Sequence, residues 1–132
     1  MYFDEDLVLD IRLNTLNKYV DEFIIAEATM DHAGNEKKLN FDIKKFVKFK
    51  DKINYLVVED LPKNINTFKK DWHPAHVRDQ FQRNTLERGY RKFNGDDLIM
   101  ISDIDEIPNP EKISEFKLFY SKFKTIYNTV NL

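Results

Sequence analysis

The chain has 132 residues, of which 42% are hydrophobic and 14% aromatic, enough to fill a core and too many for a disordered polypeptide. Its 21 basic and 23 acidic side chains leave a formal net charge of -2, so no global field draws nucleic acid or an anionic membrane. Cysteine is absent, which excludes disulfides and thiolate metal sites and leaves oxygen or histidine as the ligands any metal would use.

Residues 4–17 begin with Asp4, Glu5 and Asp6, which suit a helix N-terminus, and continue with Leu7, Val8, Leu9, Ile11, Leu13 and Leu16 in a helical spread. This acidic start lacks the basic and apolar regions of a signal peptide, and no window approaches the roughly 18 apolar residues of a membrane span. A cytoplasmic location without a membrane span is the expectation. Residues 22–28 carry Phe23, Ile24, Ile25 and Ala26 in succession, the pattern of a strand buried on both faces, with Glu27 at its carboxyl end. Residues 29–38 contain Asp31, Gly34 and Asn35 and read as a loop. Residues 41–52, with Phe41, Ile43, Phe46, Val47 and Phe49 among lysines, predict a short amphipathic helix rather than a nucleic-acid patch, because Asp42 and Asp51 dilute the basic charge.

A second buried strand follows at 53–59, closed by Glu59 and Asp60 and a loop with Pro62, Asn64 and Asn66. Trp72, His73 and His76 stand around Pro74, which suits the first turn of a helix over 74–93 better than it suits a pair of histidine ligands on one helical face. The polar face of that helix carries Arg78, Arg83, Arg88 and Arg91. Guanidinium groups at Arg78 or Arg83 suit a diphosphate, whereas charges on such a face ordinarily meet water, as expected for Arg88 and Arg91. Leu98, Ile99, Met100 and Ile101 predict a third buried strand, and a last helix is expected over 110–122. The resulting order, αβαβαβα, predicts an α/β fold with a mainly parallel sheet and helices on both faces. A helix at the N-terminus with no strand before it, and a β-prone tail over 125–132, predict that residues 1–132 form a single but partial domain.

The chemistry is expected where the apolar run at 98–101 meets Asp103, Asp105 and Glu106, because ligands bind at the carboxyl ends of strands in open α/β sheets. Asp103 and Asp105 lie two apart and point to one side of extended backbone, where two hard oxygen ligands would hold magnesium or manganese and leave positions for phosphate and water. The same acidic cluster would equally cap the following helix or solvate a loop. Phosphohydrolases with an aspartyl nucleophile also place Asp-x-Asp after an apolar strand, although there it usually ends the first strand and is followed by a small residue rather than by one like Glu106.

Several linked motifs are similar to glycosyltransferase family 17, the β-1,4-mannosyl-glycoprotein N-acetylglucosaminyltransferases and their relatives. They are Asp6-Leu7-Val8-Leu9-Asp10-Ile11-Arg12-Leu13-Asn14, Phe23-Ile24-Ile25-Ala26-Glu27-Ala28, Gly34-x-x-Lys37-x-Leu39-x-Phe41, Gln82-Arg83-Asn84 and Ser102-Asp103-Ile104-Asp105-Glu106-Ile107-Pro108. The resemblance implies a GT-A-like (Rossmann-like) nucleotide-sugar domain, of which this chain covers roughly the donor-binding half. It implies a divalent metal, manganese or magnesium, held by Asp103 and Asp105 against the diphosphate of a UDP-sugar such as UDP-N-acetylglucosamine. Inverting transfer to a glycan acceptor is implied as well, with Glu106 a candidate for the general base and Arg83 and Glu27 candidates for donor contact. For Glu27 and Glu106 a structural role is an equal expectation. Against the transferase stand two other readings: an α/β metal phosphohydrolase, and a non-catalytic fragment that binds a nucleotide sugar or only partners.

Overall fold

The computed structural model describes residues 1–63, 65, 73–113 and 115. Its centre is a pair of parallel strands, β1 (Phe23–Ala28) and β2 (Ile53–Val58), in register from Phe23 opposite Ile53 to Ala28 opposite Val58. Period-two alternation sorts their side chains into two cores. Phe23 and Ile25, with Ile53 and Tyr55, face Leu9, Leu13 and Leu16 of helix α1 (Asp6–Leu16) together with Phe46 and Phe49. Ile24, Ala26, Ala28, Leu56 and Val58 face Phe81, Leu86 and Tyr90. β1 is therefore covered on both faces, as an α/β arrangement requires, whereas β2, expected to be buried, is only partly covered and leaves Val57 39% exposed. In α1 the buried leucines are spaced four and three apart, which turns Leu7 and Ile11 outward.

Three predicted elements differ from expectation. The segment 41–52 forms a 3₁₀ helix, Ile43–Lys52, kinked at Phe46 and capped by the Asp42 carboxylate, which accepts from Lys44 N at 2.9 Å. Residues three apart eclipse one another in 3₁₀ geometry, so Phe46 and Phe49 both reach the core while Val47 stays outside. The long helix at 74–93 divides at Leu86 into α2 (Pro74–Thr85) and α3 (Glu87–Tyr90). Thr85 Oγ1 donates to the Gln82 carbonyl at 2.6 Å, a back-bond of the kind that bends helices. The bend seats Gly89 directly on β1, where an added Cβ would lie 2.7 Å from Ile24 Cγ2.

The third correction concerns residues 98–101, which form no strand. Ile99, Met100 and Ile101 are 39%, 41% and 50% exposed. A ladder needs a neighbouring edge, and on the edge of β1 away from β2 the Ala26 carbonyl already accepts from Tyr2 N at 3.0 Å. Residues 98–101 instead form one wall of an apolar cavity of about 940 Å³, with Phe23, Ile24 and Ile25 opposite. The last expected helix is seen over 110–113, and most of the remainder up to 122, like Trp72, lies outside the described residues. Among the described residues no helix is long and apolar enough to cross a membrane.

Candidate functional site

The acidic segment folds as a tight turn. Glu106 N donates to the Asp103 carbonyl at 3.2 Å, Ile107 N to the Asp105 carbonyl at 3.0 Å, and the Glu106 carboxylate accepts from Asp103 N at 3.1 Å. What fixes this turn to the body of the protein is Arg12, on α1. Its Nη1 donates to the carbonyls of Asp103 at 2.9 Å, Ile104 at 3.3 Å and Glu106 at 3.0 Å, while Nη2 donates to Ser102 Oγ at 2.7 Å. Burial pushes the Arg12 guanidinium below its usual range, against the opposing pull of the Glu106 and Asp105 charges. A fork of donors matched to backbone carbonyls holds the loop's shape while leaving the Asp103 and Asp105 carboxylates outside the network.

Those two carboxylates line a cavity of about 620 Å³ together with His32, Asp79, Gln82 and Arg83. Arg83 Nη2 donates to Asp103 Oδ1 at 2.9 Å, with both side chains partly exposed. Asp105 makes no side-chain hydrogen bond or ion pair among the described residues. Two hard oxygen donors on one loop suit a magnesium or manganese ion whose remaining ligands are phosphate and water. They do not suit an all-protein cage: among the described residues no group of three or more His, Asp or Glu side chains could hold a metal.

The other residues singled out from sequence lie elsewhere. Glu27 does not line this cavity: it is fully buried and its oxygens are occupied, accepting from Lys37 Nζ at 2.5 Å, Asn40 N at 2.8 Å, Phe41 N at 3.0 Å and Tyr55 Oη at 2.8 Å. Burial alone would raise its pKa, but the Lys37 ammonium, the two backbone N–H groups and Tyr55 outweigh it and hold the carboxyl below the ordinary range. Glu106 is spent on the loop's own backbone and is also not among the residues lining the cavity. Arg78 is neither a phosphate ligand nor a solvated charge. It is buried, and donates to the carbonyls of Pro62 at 3.0 Å, His32 at 3.0 Å and Lys63 at 3.2 Å. Gly34, at φ +100°, lies over that guanidinium, and a Cβ there would sit 2.9 Å from Nη2. Arg88 and Arg91 are exposed and pair with Asp60 and Glu87. His73 caps α2, its Nδ1 accepting from Ala75 N at 3.3 Å.

Two contributors escaped the sequence reading. Arg12 is the only basic residue of α1, and that, with its place in the family-like motif over 6–14, was its only signal. His32 sits in a loop that reads as a turn, yet its Nε2 lies 3.0 Å from Gln82 Oε1, and Gln82 is a buried amide that also donates to the Ala26 carbonyl at 3.3 Å.

The model of glycosyltransferase family 17 matches residues 1–123, and the chain belongs to that family. No curated protein and no solved structure matches it.

Proposed function

From this membership we propose that the chain forms a GT-A-like donor site, in which Asp103 and Asp105 bind a divalent metal on the diphosphate of a UDP-sugar, UDP-N-acetylglucosamine being the donor to test first. The observation that carries the reading is the placement of both carboxylates in one cavity beside Arg83, on a loop whose backbone is already satisfied by Arg12. Loop and cation site are thus separable: Arg12 sets the geometry, and the carboxylates are not used to hold the loop. When bound, the metal supplies Lewis-acid stabilisation of the departing nucleotide diphosphate. Arg83 holds Asp103 before the donor arrives and is placed to offer its guanidinium to a phosphate oxygen afterwards. Transfer to a glycan hydroxyl with inversion, and a cytoplasmic setting, complete the proposal.

Calorimetry with UDP-N-acetylglucosamine, with and without manganese, tests it. Binding that requires manganese and disappears in an Asp103→Ala/Asp105→Ala double variant is expected. Binding that ignores the metal or survives the double substitution refutes the site.

A further inference from the structure

Inverting transfer needs a group that takes the proton of the acceptor hydroxyl, and Glu106 is turned away to Asp103 N. Resting on the donor site proposed above, we infer that His32 is that base, acting through Nδ1 into the cavity it shares with Asp103 and Asp105.

The tautomer follows from a chain of hydrogen bonds that ends in the backbone. A carbonyl can only accept, so the Gln82 atom facing Ala26 O is the amide nitrogen, and the atom facing His32 is the amide oxygen. That oxygen also only accepts, so His32 Nε2 carries the hydrogen. A neutral imidazole protonated at Nε2 has its lone pair at Nδ1, and Nδ1 has no partner among the described residues. The ring is held at both ends. Gln82, 5% exposed, fixes its far nitrogen, and the buried Arg78 fixes its backbone through the His32 carbonyl. The turn that carries it is closed by Asp31, whose carboxylate accepts from Asn35 N at 2.8 Å, with Gly34 in the left-handed region. A base locked in one tautomer and oriented by a neutral buried amide is the arrangement proton abstraction requires. Of the cavity carboxylates not assigned to the metal, Glu5 accepts from Phe3 N and Asp4 N, and Asp79 has no hydrogen bond holding it among the described residues.

In the step assigned to it, the acceptor oxygen forms a bond to the donor's anomeric carbon while its proton passes to His32 Nδ1, giving imidazolium. The bond from that carbon to the diphosphate oxygen breaks, and its electron pair leaves with the nucleotide diphosphate. Water serves as the simplest acceptor, so the test follows UDP released from UDP-N-acetylglucosamine with manganese, alongside donor binding by calorimetry. In His32→Gln, donor affinity stays within about twofold while release falls ~100-fold or more, the usual weight of a general base. Imidazole added to His32→Gly restores release, and Asp79→Asn behaves as wild type. Nitrogen-15 spectra of the unmodified protein, which need no turnover, report the Nε2–H tautomer.

The assignment is overturned if His32→Gln releases UDP at the wild-type rate, if Asp79→Asn shows the loss instead, or if the ring carries its hydrogen on Nδ1. Wild-type protein that binds the donor with manganese but releases no UDP also overturns it and leaves the donor site standing. Absence of metal-dependent binding brings down the donor site itself, and the assignment with it.

Discussion

Two acidic centres in this molecule put carboxylates to opposite uses. Glu27 sits at the end of a central strand, dry and surrounded by four donors. Asp103 and Asp105 sit on a turn at the surface, where Arg12 satisfies the backbone and Ser102, Asp103 meets only the partly exposed Arg83, and Asp105 meets no side chain among the described residues. A buried carboxylate without partners would be costly, so Glu27 is saturated and has nothing left to give a ligand. The exposed pair tolerates open coordination because water can occupy it. The difference teaches that an acidic residue at a strand end is evidence for a site only after its partners are counted.

The comparison breaks most sharply at Glu27. Glu27→Ala leaves Lys37, Tyr55 and two backbone N–H groups without their acceptor, and a loss of about 3–5 kcal/mol in urea denaturation is expected, as for other broken buried pairs. The same residue sets an acid limit. Its folded-state pKa is depressed, so its stabilisation is fully present above the unfolded value near 4.5 and fades as pH falls through the folded value. Denaturation midpoints measured from pH 7 to pH 3 should therefore drop more steeply in wild type than in Glu27→Gln, which starts lower and has no carboxyl to titrate.

Arg12→Ala lies between the extremes. Losing a guanidinium that serves four acceptors costs about 2–3 kcal/mol, and hydrogen exchange over 102–106 should accelerate more than that of β1. If the turn presents the proposed metal ligands, manganese-dependent donor affinity should also fall ~10-fold or more, as when supports behind a metal site are removed. The smallest effect on stability belongs to Asp103→Ala. The partly exposed pair with Arg83 is worth less than about 1 kcal/mol, so its melting curve should nearly overlay that of wild type while donor binding is abolished. If Asp103→Ala unfolds the protein, or Glu27→Ala leaves it intact, the contrast drawn between the two centres fails.

Much of the frame was legible in the residues. The apolar runs at 23–26 and 55–58 announced the two central strands, and Pro74 marked the start of α2. The run at 98–101 has the same composition and is not a strand, because strand formation depends on an available edge and composition carries no information about one. Asp103, Asp105 and Arg83 were each expected to meet the same donor, and the fold brings them to one cavity. Arg12 and Arg78 were not foreseen because their partners are carbonyls: a sequence pattern can pair arginine with carboxylates, but every residue has a carbonyl. His32 was hidden for a related reason. Its partner, Gln82, is 50 residues away on another element, and only the fold brings the amide to the ring.

The span of the Arg12 contacts has a kinetic corollary. They close separations of 90 to 94 residues along the chain. Contacts of that range are entropically slow to form and come after local structure. The turn over 102–107 should thus be among the last parts to order during folding, and Arg12→Ala should speed unfolding far more than it slows refolding, the signature of an interaction absent from the transition state.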